Sequence, residues 1–316
     1  MKKHQILILT CCCTWLLLQS QADSGRQMCI TIDDLPVVSR DTTLHNHQEI
    51  TSKIIEALVS RQAWGIGFVN ESKLYRKGTL LESRKALLRQ WLDAGLLLGN
   101  HTYAHKDYHQ VSFEVFSKDI LEGEPHTRSL LEAKGLPLLY FRHPFLHTGN
   151  SPEKKQQLSD FLKSRQYIEA PVTIDNAEYI FARAYDDACI ARDSSLMKRL
   201  GTDYLEYMLA KIAFFEQQTQ QLFEREIPHI LLIHANHLNA DYLGLLMDRL
   251  ALRSYRFVSL QETLADPAYA SMDTFTGNGG ITWLHRWALT RKVDKSFFAG
   301  EPPCPDYVQQ LTGIRE

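Results

Sequence analysis

The chain has 316 residues, 44% of them apolar and 23% charged, with a formal net charge of -2. That composition supports an ordinary globular core and argues against disorder. A balance so close to neutral gathers neither nucleic acid nor an anionic membrane surface, so an uncharged substrate is expected.

Lys2, Lys3 and His4 precede an apolar run from Ile6 to Leu18, followed by Ser20-Gln21-Ala22. This is the layout of a secretory signal, with small residues placed for cleavage after Ala22. The expected organisation is a signal peptide over 1–22, a catalytic domain over 23–266 and an extension over 267–316, in an exported (periplasmic or secreted) protein. The run is shorter than the roughly 20 apolar residues of a spanning helix, so no stable membrane insertion is expected after cleavage. Cys11-Cys12-Cys13 suggests lipid attachment, but Thr10 is bulkier than the small residue expected there. Removing the signal leaves Cys29, Cys189 and Cys304, one disulfide at most. Cys29 lies in an apolar run, which leaves Cys189 and Cys304 as the candidate pair.

Short apolar runs then alternate with longer helical patterns. Strands are expected over 28–32, 65–69, 96–99, 138–141, 167–173, 230–233 and 256–260. Thr79 and Glu82 have the spacing of a capping box, and Ser151-Pro152 reads as an N-cap with proline in the first turn. Leu196, Leu200, Tyr204, Met208, Ile212 and Phe215 recur at three- and four-residue steps, the core-facing stripe of a long helix between Ser194 and Phe223. Such alternation indicates an α/β protein with a mainly parallel sheet, open or closed into a barrel. Beyond Pro267 the pattern breaks into Gly277-Asn278-Gly279-Gly280 and an aromatic segment from Trp283 to Trp287, read as packing on the domain rather than stacking on sugar rings.

The ionisable residues gather just after the strands, where α/β proteins build their sites. Asp33-Asp34, His101 with His105, Arg142, Asp175 and His234 each follow or end a different run. Two histidines separated by three residues face the same way if a helix begins there, and a carboxylate from another strand completes a facial metal site. Asp34, His101 and His105 supply that set, with zinc the first choice and cobalt, nickel or manganese also suited to it. Taken singly these motifs are weak: paired aspartates cap turns, and an HxxxH spacing is common by chance. Their placement together at strand ends carries the inference. His109, His147 and His237 lie near the motifs and are candidates for a sugar groove or for plain loop residues.

In order, Thr31-Ile32-Asp33-Asp34, His101-Thr102-Tyr103-Ala104-His105, Arg142-His143-Pro144-Phe145, Asp175-Asn176-Ala177-Glu178-Tyr179 and Leu232-Ile233-His234 resemble the five motifs of the NodB-homology polysaccharide deacetylases, carbohydrate esterase family four. The resemblance implies a distorted (β/α) barrel with a C-terminal extension beyond its common core. It implies a metal-dependent hydrolase that removes acetyl groups from a carbohydrate. It also implies Asp33 as general base, His234 as general acid, Arg142 orienting Asp33, and Asp175 supporting His234. Two positions depart from the family pattern: Leu35 replaces the glycine usual after the paired aspartates, and Glu178-Tyr179 replace the usual Asp and Trp. The same metal set would also serve a non-carbohydrate amide, and an exported sugar-binding protein without catalysis is the remaining alternative.

Overall fold

The computed structural model describes residues 25–316, so the expected signal segment lies outside them. Nine strands are named in chain order: β1 (Gln27–Leu35), β2 (Ile66–Val69), β3 (Tyr75–Arg76), β4 (Thr79–Leu80), β5 (Leu97–Asn100), β6 (Tyr140–Phe141), β7 (Ile168–Glu169), β8 (His229–His234) and β9 (Arg256–Phe257). Seven of them form one parallel sheet in the order β7-β6-β5-β2-β1-β8, with β9 on β1. Helices cover it, and β1, β2 and β8 are accordingly apolar runs buried along nearly their whole length. Past β7 the chain swings to the far edge, where Ile174 makes a parallel bridge to Leu231 of β8. The sheet therefore curls toward closure as a distorted barrel of parallel strands with helices outside.

All seven expected strands are present, several of them shorter. The run over 167–173 pairs with β6 only at Ile168–Glu169, because Pro171 has no N–H for a ladder and the chain then changes partner. The run over 256–260 ends after Phe257, since Ser259 and Glu262 form a reciprocal capping box that starts helix Leu260–Leu264. Thr79 does not cap the next helix as its spacing suggested. It pairs in the small β3–β4 hairpin, and helix Glu82–Asp93 begins after Leu81 without a side-chain cap. Ser151 does cap helix Pro152–Ser164, accepting from the Lys154 N–H, and the long helix runs Ser194–Phe223 with Leu200, Tyr204, Met208, Ile212 and Phe215 buried.

Residues after Pro267 lie against the sheet domain. Helix Trp283–Thr290 is almost wholly buried, with the Trp283 N–H on the Val172 carbonyl at 2.8 Å. Arg286, 1% exposed, donates to the Leu146 carbonyl and to Thr148 Oγ1. Lys155 holds the Asp273 carbonyl and carboxylate at 2.8 and 2.7 Å. Trp283 and Trp287 are buried anchors, which removes them as sugar platforms. Cys29, Cys189 and Cys304 are free thiols, so the candidate pair Cys189 and Cys304 is not bonded: Cys189 sits beside His237, whereas the Cys304 sulfur turns to the Pro305 carbonyl. Among the described residues no helix is long and apolar enough to cross a membrane.

Candidate metal and catalytic centre

Neighbouring side chains on a strand point to opposite faces, yet Asp33 and Asp34 both reach the same rim. The pairing of β1 with β2 slips between Ile32 and Leu35, and Asp34 has a φ of 71°, in the left-handed region that Asp tolerates better than most residues. Leu35, where the family has glycine, is fully buried, and its side chain occupies the space that a Cβ on Gly67 would need. Parallel register places Asp33 directly beside His234 on β8.

His101 and His105 do converge, though not on a helix. Thr102 and His105 have positive φ, at 66° and 53°, and the segment is a tight loop. Asn100 Oδ1 takes the Thr102 N–H at 2.7 Å, Thr102 Oγ1 takes the His105 N–H at 3.0 Å, and the Asp119 carboxylate takes the Ala104 N–H. Side chains of the loop, of the end of β5 and of helix Phe113–Glu122 thus supply the bonds a helix would have made with backbone, and the four-residue spacing works for a different reason.

The Asp34, His101 and His105 donor atoms lie within 4.8 Å of one another. Asp34 Oδ1 is 3.6 Å from His101 Nε2 and 3.7 Å from His105 Nε2. Buried His101 donates Nδ1–H to the Arg142 carbonyl at 2.8 Å, which leaves the lone pair on Nε2 facing the aspartates. Burial holds both imidazoles well below their ordinary range, at about 4, so both are neutral donors at neutral pH. Burial alone would raise the Asp34 carboxyl, but Lys73 and the two histidines pull it below the usual carboxylate range. Asp34 Oδ1 has no hydrogen-bond partner although it is buried. Two neutral imidazoles around an orphaned carboxylate oxygen fit a divalent cation.

Asp33 is 2% exposed, with Oδ2 3.7 Å from both His101 Nε2 and Arg142 Nη1. Burial raises its pKa against the opposing pull of Arg142 and His234. Arg142 is itself sealed in, with Nη2 on Thr31 Oγ1 at 2.9 Å and its guanidinium 4.8 Å from the centre of the Phe68 ring. His234 departs from expectation in its partner. Its Nδ1 pairs with Glu178 Oε2 at 2.8 Å, and Glu178 is fully buried, with Oε1 accepting from Asn236 and Asn239. Asp175, expected in that supporting role, instead accepts its own loop's Asn176 N–H at 2.8 Å and lines the cleft. The reason is positional, since Glu178 opens a helix beside the end of β8 while Asp175 stays in the preceding loop. Burial would lower the His234 pKa, but Glu178 outweighs it and lifts the imidazole to about 9. Burial likewise lifts Asp175, to about 6.

These groups open into a cleft of about 480 Å³ whose remaining walls include Phe145, Leu232, Tyr179 and Gly280. Phe145 stands edge-on to His105, with ring centres 4.5 Å apart. His143 is buried and bonded to Glu169, and His237 is bonded to Asp186 away from the metal donors. Glu178 and Lys73 were missed in the sequence. Glu178 stands out in the sequence only as a departure from a motif, and Lys73 sits on a short turn after β2 where no pattern marks it, 3.3 Å from Asp34 Oδ2.

A family model described as polysaccharide deacetylase matches residues 20–151, the stretch that carries Asp33, Asp34, His101, His105 and Arg142. No curated protein matches the sequence. Among solved structures, the chitin deacetylase of the fungal pathogen Colletotrichum lindemuthianum is 20% identical with a TM-score of 0.50, over 77% of this chain and 88% of that one. A peptidoglycan deacetylase of Bacillus subtilis is 16% identical with a TM-score of 0.47, over 76% of this chain and 92% of that one. A carbohydrate esterase family 4 pseudoenzyme of Bacillus anthracis is 14% identical with a TM-score of 0.48, over 76% and 66%. At this identity the chitin deacetylase speaks to the fold alone. Residues 20–151 are thus similar to the polysaccharide deacetylases, and the chain shares the fold of the chitin deacetylase.

Proposed function

We propose that this protein is an exported, metal-dependent deacetylase of a neutral acetylated carbohydrate, with N-acetylglucosamine oligomers as the first candidates. The observation that carries the reading is the meeting of five groups in one cleft: Asp34, His101 and His105 as a donor set, flanked by Asp33 and His234. Asp34, His101 and His105 hold the ion, for which zinc is the first choice and cobalt, nickel or manganese also fit. When bound, it supplies Lewis acidity to the acetyl carbonyl and to a water. Asp33, its proton affinity raised by burial and its position held by Arg142, takes the proton of the attacking water at a carboxylate oxygen. His234, charged through Glu178, presents Nε2–H to the departing nitrogen, a very poor leaving group without that proton. Phe145 and Leu232 form an apolar wall for the acetyl methyl, and Tyr179, 44% exposed, offers a ring face at the cleft mouth.

The test measures acetate release from N-acetylglucosamine oligomers, peptidoglycan fragments, acetylated xylan and simple acetamides, before and after metal removal. Metal-dependent release from an oligosaccharide is expected, with about one tightly held ion per chain lost in His101→Ala and Asp34→Ala. Release from small non-sugar amides alone would reject the carbohydrate substrate. Full activity in stripped protein would reject the metal.

A further inference from the structure

The short turn after β2 reaches both segments that deliver the metal donors. Asn70, 1% exposed, gives its backbone N–H to the Leu35 carbonyl at 3.2 Å and its Nδ2 to the His101 carbonyl at 2.5 Å. Further along the turn, the Ser72 N–H bonds the Tyr103 carbonyl at 3.0 Å, and Lys73 Nζ donates to the Asp34 carbonyl at 2.8 Å. The turn is itself anchored from outside. The Glu71 carboxylate takes the His126 and Thr127 N–H groups at the start of helix Pro125–Glu132, and Arg84 holds the Lys73 carbonyl at 2.7 Å. Four bonds from one turn thus set the separation of the aspartate strand from the histidine loop.

Of the residues that make these four bonds, only Lys73 brings charge, and it grips Asp34 by two atoms, the carbonyl and Oδ2, the latter at 3.3 Å. Holding the carbonyl supports the left-handed backbone at Asp34, and holding Oδ2 leaves Oδ1 facing His101 Nε2 and His105 Nε2. An outer partner that makes a ligand more basic tightens its hold on a metal. An ammonium on a ligating carboxylate does the reverse, because it draws electron density toward Oδ2 and adds a repulsive charge. The ion so held keeps more of its own charge for a carbonyl or a water. The positional work is shared, since Asn70 and the pairing of β1 with β8 still pin the strand when Lys73 is lost, so charge is the larger effect.

We propose that Lys73 is a positioning residue of the metal centre, one that steadies Asp34 while its charge weakens the grip on the ion and keeps that ion electrophilic. This role presupposes the Asp34, His101 and His105 metal set proposed above. Two parts of one turn then act on affinity with opposite signs: the neutral bonds of Asn70 tighten the site, and the ammonium of Lys73 loosens it.

The test strips whole mature protein of metal and reads its Zn²⁺ affinity by competition with a chromophoric chelator, with near-UV circular dichroism as the check on fold. Lys73→Met, similar in length and uncharged, is expected to bind Zn²⁺ roughly tenfold tighter than the parent. Its zinc-loaded form should show kcat on an N-acetylglucosamine oligomer lowered roughly tenfold, with KM little changed. Lys73→Arg keeps the charge and should return both affinity and kcat close to the parental values. Asn70→Ala, which removes a neutral bond, should bind the ion roughly tenfold more weakly. A Lys73→Met affinity at or below the parental one, or an arginine variant that behaves as the methionine variant does, overturns the role. A parent that takes up no Zn²⁺ rejects the metal reading and this role with it, whereas a parent that binds Zn²⁺ beside a Lys73→Met protein of unmoved affinity rejects the role alone.

Discussion

Replacing Glu178 by Gln keeps the length and an acceptor for His234 Nδ1–H but removes the charge that lifts the imidazole to about 9. Without that charge, burial opposes only the smaller pull of Asp34 and Asp33 and brings the imidazole back toward its ordinary ~6.5. At pH 8 a group titrating at about 9 is roughly 90% protonated, and one at ~6.5 is about 3% protonated, so the population of competent acid falls on the order of thirtyfold. The assay is kcat/KM against pH on an N-acetylglucosamine oligomer, paired with an NMR titration of His234 in metal-free protein so that no cation's field enters. The alkaline limb should move toward acid by about two pH units, and an activated acetyl ester, whose leaving group needs little protonation, should lose much less. Stability follows with a definite sign. A pKa raised on folding stabilises fully below ~6.5 and is lost as pH rises through about 9, and that interval corresponds to about 3 kcal/mol. The parent should therefore lose stability over that range and the variant should not. An alkaline limb and a His234 midpoint both unchanged in the variant would refute the reasoning.

Asp33→Asn should hold its metal and fold but lose roughly 10²–10⁴ of turnover, because the amide keeps the shape without the basicity; parental turnover would remove Asp33 as the base. Gly280→Ala would set a Cβ 1.9 Å from the Phe145 carbonyl oxygen, so the cleft wall must shift. Calorimetry should show Tm lowered by roughly 2–8 °C, with KM raised; unchanged values of both would show that the contact is slack. Mass spectrometry of the exported protein should find a chain that begins near Asp23, and an intact Met1 in a cytoplasmic fraction would contradict export.

The residues that need only a strand end to deliver them were legible in the sequence. Asp33, Asp34, Arg142 and His234 each follow an apolar run, and parallel strands carry such residues to one rim whatever the detailed register. The histidine pair converges although the helical argument for it does not apply, because Asn100, Thr102 and Asp119 shape a loop that turns both side chains the same way. Side-chain bonds of that kind leave no periodicity to read. Glu178 was hidden for another cause. A longer carboxylate at a motif position reads as a substitution, and only the tertiary packing of its helix beside β8 shows that the extra methylene brings the oxygen to His234. The same limit hid the hairpin at Tyr75–Leu80, since two-residue strands carry no alternation for a pattern to detect.

Arg286 ties the C-terminal extension to the middle of the chain. Its guanidinium satisfies the Leu146 carbonyl and the Thr148 hydroxyl on either side of the loop behind the Phe145 wall. Peeling the extension away would strand those acceptors and expose the rings of Trp283 and Trp287 at the same moment, so partial detachment has no cheap intermediate. The molecule should melt in one cooperative transition instead of shedding an appendage first. For protein engineering, this means that transplanting the five strand-end motifs onto another parallel barrel would move the reactive groups but leave behind one side of the pocket.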